Sequence, residues 1–182
     1  MTGHGGAAGG MAATADEGMP RAATVLVAST RAAAGVYEDA TGPVIAAWLA
    51  ERGFEVRGPV VVADGAEFAV ALGRAIDAAP AVVVTTGGTG LAPSDLTPEA
   101  TAAVLDRELP GFMEELRRRG SATTPTALLT RGVAGVAGST FVVNLPGSRG
   151  GVRDGLALLG EVLDHVLDQL AGGDHASPPV VE

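Results

Sequence analysis

The sequence predicts an α/β fold: a three-layer α/β/α sandwich whose mostly parallel sheet takes one antiparallel strand from a hairpin near residues 131–145. Three observations predict it. Short valine-rich runs alternate with segments of helical periodicity, the order that builds βαβ units. Several of these runs end on loops of Gly, Thr and Asp, and open parallel sheets bind ligands beyond the carboxyl ends of their strands. Finally, RGVAGVAGSTFVVNL breaks the alternation with two apolar runs around Ala-Gly-Ser, which reads as a hairpin. With 182 residues, 47% of them hydrophobic, the chain can bury one core, and residues 23–171 read as a single domain.

Residues 24–28 (TVLVA) are a buried strand. Residues 42–51 fit a helix with Pro43 in its first turn, ended by Gly53. Residues 54–62 are extended, and 67–77 helical. Residues 81–85 form a strand that is apolar throughout and therefore central. Helices follow at 98–105, with Thr97 as its cap, and at 110–119. After the hairpin, 152–170 closes the domain as a long helix with Leu156, Leu159, Leu163, Val166 and Leu170 as its apolar stripe. Trp48 belongs to the core or an interface, whereas His165 and the run from Arg117 to Arg119 read as solvated.

Residues 1–22 are mostly Gly, Ala and Thr and read as a flexible tail, as do 172–182. Neither a signal peptide nor a membrane-spanning run is visible, so the chain reads as cytoplasmic. A net charge of −9 argues against nucleic acid as a partner. Cysteine is absent, and the three histidines are too scattered for a zinc site. All 12 basic residues are arginine, which excludes both a Walker-type phosphate lysine and a Schiff-base lysine.

Three loops carry chemistry. TTGGTG follows the central strand: its glycines (Gly87, Gly88, Gly90) let main-chain N–H groups approach an anion, and Thr85, Thr86 and Thr89 add hydroxyls. A bare tight turn is the competing reading. Asp95 ends this loop, where a carboxylate beside phosphates holds Mg²⁺, or else caps a turn with Ser94. Asp64 ends another strand; its D-x-x-E spacing to Glu67 matches a capping box, and the same carboxylate can reach a metal in the crevice. NLPGSRGG leads into a helix N-terminus and is either an anion loop or a plain connection. Ser29, Arg31 and Asp39 follow the first strand at the same end of the sheet, and Asp39 can equally cap the helix near Gly42.

STRAAAGVYEDATGP (29–43), TTGGTGLAPSDLTPEAT (85–101), DRELPGF (106–112) and NLPGSRGG (144–151) occur in this order and spacing. Together they resemble the molybdopterin adenylyltransferase family, the Mog/MoaB proteins of molybdenum cofactor synthesis related to the gephyrin G domain, over about residues 24–170. The pattern looks closer to the Mog type.

The resemblance implies an α/β sandwich that assembles as a homotrimer and transfers AMP from Mg-ATP to the terminal phosphate of molybdopterin, releasing pyrophosphate. A molybdate-inserting protein would act downstream. The family's aspartates match Asp64 and Asp95, as catalytic and Mg²⁺-holding residues. Its nucleotide loop matches Thr86, Gly87, Gly88, Thr89 and Gly90, and its second ligand loop Pro146, Gly147 and Ser148. Ser29 and Asp39 are expected near the pterin. Relatives often carry proline where Arg149 stands, and Arg149 reads as a solvated charge.

Such chemistry suits these residues, because a phosphate monoester is already a nucleophile at neutral pH and needs no histidine or cysteine base. The alternative is a MoaB-like carrier or scaffold that binds molybdopterin without turnover. Two metal-holding carboxylates favour the enzyme.

Overall fold

A computed structural model describes residues 21–172, so the tails expected at 1–22 and 172–182 lie almost wholly outside the described residues. The chain runs β1 (Ala22–Ala28), α1 (Thr30–Ala33), α2 (Gly42–Ala50), β2 (Glu55–Val62), α3 (Ala66–Asp77), β3 (Val82–Thr86), α4 (Thr97–Ala102), β4 (Arg107–Glu108) and α5 (Pro110–Ser121). A 3-10 turn (Pro125–Leu129), β5 (Ala134–Ala137), β6 (Thr140–Leu145) and α6 (Arg149–Leu170) complete it.

The sheet order is β2-β1-β3-β6-β5-β4. β1, β2, β3 and β6 are parallel, and β5 runs against both of its neighbours, β6 and β4. The hairpin therefore contributes the one reversed strand, as expected. β3 carries five consecutive buried residues and pairs on both edges, which is why its sequence shows no polar alternation.

Side-chain alternation along the strands splits the core into two layers. Val25, Val82, Val84, Phe141 and Val143 face Ile45 and Leu49 of α2, Met113 of α5 and the apolar stripe of α6. Leu26, Val83 and Val142 face Phe68 and Leu72 of α3, with Ala100 of α4 packed alongside. On α6 the buried stripe is Val152, Leu156, Leu159, Leu163 and Leu167; Val166 and Leu170, expected in it, are only partly covered. Trp48 is half-buried against the α6 layer, and the Arg52 guanidinium carbon sits 3.6 Å from the centroid of its ring.

Several boundaries differ from expectation for local reasons. β1 starts at Ala22 because Ala22 and Ala23 pair with Glu55 and Val56. β4 is only two residues long, too short to show a period, and exists because Arg107 and Glu108 pair with Val136 and Gly135. α6 begins at Arg149 rather than Val152, since Ser148 is its cap: the Gly151 N–H donates to Ser148 Oγ at 3.1 Å. Thr97 is not a cap but the first residue of α4, with Leu96 in the cap position.

One buried polar residue ties the sheet to the elements around its carboxyl end. Asn144, fully buried in β6, donates to Thr85 Oγ1 of β3 at 2.9 Å and to Thr101 Oγ1 of α4 at 3.0 Å, and its Oδ1 accepts from the Val133 N–H at 3.1 Å. Asn144→Ala leaves these partners without their bonds in a dry interior, at roughly 1–3 kcal/mol for each polar group that finds no substitute. Urea unfolding is expected to show a loss of about 2–4 kcal/mol, whereas a loss below about 0.5 kcal/mol, the size of an ordinary surface change, would remove Asn144 as the tie.

Candidate functional site

The strand order places β2 and β3 on opposite sides of β1, so the chain reverses its direction of winding beside β1. Beyond the carboxyl ends there opens a cleft of about 570 Å³. Ala28 to Ala32 form one wall and Asp64, just past β2, another. Thr86 to Gly88 lie at its floor, with Ser94 and Asp95 beside them and Gly147 and Arg149 from the start of α6 across from them.

Glycine is required where the floor is tightest. Gly87 has φ +89°, and a Cβ there would run into the Ala28 carbonyl. Gly88 has φ +60°, and a Cβ there would collide with the Asp64 carboxylate and the Thr97 hydroxyl. Both positions therefore combine left-handed backbone with a close approach that no side chain allows. The floor is tied to the next loop as well: the Gly87 N–H donates to Leu145 O at 3.2 Å, and the Thr86 hydroxyl to Pro146 O at 2.9 Å.

Asp64 does not form the expected capping box. Gly65, at φ +93°, occupies the cap position of α3, and Asp64 turns instead toward the glycine loop. Its Oδ1 accepts from the N–H groups of Gly65 (2.7 Å) and Leu96 (3.2 Å), with the Thr97 hydroxyl at 3.5 Å. Its Oδ2 is sealed from solvent and accepts from no donor of the protein. Burial pushes the Asp64 carboxyl above its ordinary value, and the nearby charge of Asp95 adds to the push; the donors on Oδ1 oppose it.

Asp95 closes its own turn, accepting the Ala92 N–H on Oδ2 at 3.0 Å. The turn reading of this residue therefore holds, and its carboxylate still lines the cleft. Among the described residues no three acids or histidines converge. Two carboxylates, one with a buried oxygen lacking a donor, suit a hard cation that takes its other oxygens from water and phosphate, as Mg²⁺ does.

Of the other residues singled out in the sequence, Ser29, Asp39, Thr86, Gly87, Gly88 and Gly147 line the same cleft. Asp39 is occupied as a cap: it accepts from Thr41 N–H and Oγ1, both at 2.9 Å, and from the Gly42 N–H at 3.0 Å. Thr89 and Gly90 lie off the cleft. Thr89 is buried, its hydroxyl accepting from Thr130 Oγ1 at 3.1 Å, because the loop turns away from the floor after Gly88. Pro146 and Ser148 line a separate 190 Å³ pocket between α5 and α6. Arg149, read as solvated, is exposed yet stands on the rim of the main cleft.

Three participants were not legible. Tyr37 bonds Ser29 Oγ at 2.7 Å under the Arg31 guanidinium, Thr30 Oγ1 accepts from the Asp64 N–H at 3.4 Å, and Arg131 braces the glycine loop from outside. None sits in a spacing pattern: Thr30 and Arg131 act through contacts distant in sequence, and Tyr37 across a turn.

Known proteins share this architecture. A Mog protein from Mycobacterium ulcerans superposes with a TM-score of 0.79 at 53% identity, covering 82% of this chain and 99% of that one. A protein named molybdopterin adenylyltransferase from Helicobacter pylori is 37% identical over 81% of this chain and 86% of its own length. A molybdenum cofactor biosynthesis bifunctional protein from Synechococcus elongatus is 40% identical over 85% of this chain, which spans only 49% of that relative. Residues 24–165 match the family model described as "Probable molybdopterin binding domain", and the chain belongs to that family.

Proposed function

We propose that this chain is a molybdopterin adenylyltransferase of the Mog type, transferring AMP from Mg-ATP to the terminal phosphate of molybdopterin with release of pyrophosphate. The observation that carries the reading is the Asp64 Oδ2 atom, buried without a donor in a cleft it shares with Asp95 above a floor of glycines. A carrier needs a pocket but has no use for a carboxylate held at this cost. The Helicobacter relative's name and length match support the same reading.

Asp64 and Asp95 would hold the cation. When bound, Mg²⁺ neutralises phosphate charge and stabilises the charge that develops on the departing pyrophosphate. Gly87 and Gly88 keep the floor free of side chains, so a phosphate can approach the main chain. A phosphate oxygen of the pterin attacks the α-phosphorus of ATP, and the bond to pyrophosphate breaks. No protein base is needed, so positioning and charge stabilisation do the work. Ser29, Tyr37 and the rim arginines Arg31 and Arg149 are placed to orient the anionic pterin. Thr89, Gly90, Pro146 and Ser148 support the two loops in this reading. The chain is expected to work in the cytoplasm as a homotrimer, handing its product to a molybdate-inserting protein; among the described residues no helix is long and apolar enough to cross a membrane.

Purified protein incubated with molybdopterin, ATP and Mg²⁺ is expected to yield adenylylated pterin and pyrophosphate by mass spectrometry, dependent on all three components. Asp64→Asn and Asp95→Asn are each expected to lower turnover about 10²-fold or more while keeping a three-chain mass in sedimentation equilibrium. Tight pterin binding without product in the wild type would make the chain a carrier. Near wild-type turnover in either variant would remove that aspartate from the mechanism.

The raised Asp64 value sets a pH dependence of definite sign. Its carboxyl binds a proton more readily folded than unfolded, so the ligand-free fold loses stability as pH rises from the ordinary carboxylate value of about 4 through Asp64's own. Above that value the loss is complete, and Asp64→Asn escapes it. The melting temperature of Asp64→Asn, taken relative to ligand-free wild type, is therefore expected to rise from about pH 4 toward neutrality; a constant offset would contradict the assignment.

A further inference from the structure

We propose that Arg131 is a positioning residue that clamps the loop between β3 and α4 and so keeps Asp95 in the cleft it shares with Asp64. Its kinetic consequence rests on the adenylyltransferase reading. Residues 87–96 contain no helix or strand, and their internal ties close only the turn at Ala92 and Asp95. Arg131 spans that turn from outside the cleft. Its Nε donates to Gly90 O at 2.7 Å, its Nη2 to Asp95 O at 2.5 Å, and its Nη1 pairs with Glu99 in the first turn of α4. The Arg131 N–H donates in addition to Thr89 O at 2.9 Å.

The clamp has a firm base. The Arg117 Nε donates to Thr130 O at 3.0 Å, and the Val133 N–H is held by Asn144. Both ends of the segment from Gly90 to Asp95 are thus fixed to the chain that leads into β5. Because Arg131 does not line the cleft, it can act only through the loop. Two of its three guanidinium partners are main-chain carbonyls, so its task is different from that of a surface ion pair. A planar fork of five donors meets three acceptors at once; a lysine ammonium, donating from one centre, does not.

The test compares Arg131→Met, Arg131→Lys, Glu99→Gln and the exchange Glu99→Arg with Arg131→Glu, reading kcat, the KM of each substrate, melting temperature, and amide hydrogen exchange over residues 87–96. Arg131→Met is expected to lower kcat by about 10²-fold, the scale of an ångström's misplacement, with the pterin KM within about threefold. Arg131→Lys is expected to fall between wild type and Arg131→Met at an unchanged melting temperature, and it carries the test if Arg131→Met fails to fold. Glu99→Gln, which leaves both carbonyl contacts, is expected to cost only a few-fold in kcat. The charge exchange is expected to stay impaired, since a carboxylate at position 131 cannot donate to carbonyls. Wild-type kcat in Arg131→Met or Arg131→Lys, or recovery in the exchange, would overturn the clamp. Should wild type form no product, hydrogen exchange decides alone: faster exchange across residues 88–96 in Arg131→Lys supports the clamp, and an unchanged rate overturns it.

Discussion

A buried carboxylate oxygen with no donor costs stability unless a cation or proton neutralises it, and Asp64 is held in that condition by everything around it. Gly88 leaves room for the carboxylate by lacking a side chain, and Leu96 and Thr97 satisfy the other oxygen. Asp95 adds a second negative charge where one is already disfavoured. A divalent cation held by the two carboxylates would relieve this repulsion. In the proposed reading, the stability the site gives up by burying this oxygen would be recovered when a cation binds.

Such a site is only as good as its framework. β3 delivers the glycine floor, and Asn144 fixes the end of β3 to α4 and to the chain entering β5. From that last segment comes Arg131, which grips both ends of the turn that carries Asp95. A fully satisfied polar hub in the sheet and a three-acceptor clamp on the loop thus stand in series behind one aspartate. Precision at Asp95 comes from β6 and the hairpin, far along the chain from the residue itself.

This division explains what could be read in the sequence. The layered α/β architecture, the reversed strand and the cleft at the strand ends were legible, because alternation, loop composition and the hairpin signal are local. The resemblance carried Asp64 and Asp95 to one site, where spacing alone offered Asp64 a capping role. That role failed because Gly65 adopts the cap position with left-handed backbone, leaving the aspartate free to turn away. Thr89, Gly90, Pro146 and Ser148 share loops with the cleft residues without lining the cleft, since neighbours in a loop can face opposite sides of it. Arg131 and Tyr37 act through partners dozens of residues away or across a turn, and no spacing rule reports such contacts.

The proposed role of Asp64 Oδ2, the one carboxylate oxygen left without a donor, is to take a divalent cation. Mn²⁺ binding read by electron paramagnetic resonance, with a non-hydrolysable ATP analogue present, tests it without requiring turnover or the pterin. The account predicts a bound Mn²⁺ in the wild-type protein and at least about tenfold weaker binding in Asp64→Asn, because one of two anionic ligands is lost. Equal affinity in the two proteins would contradict it.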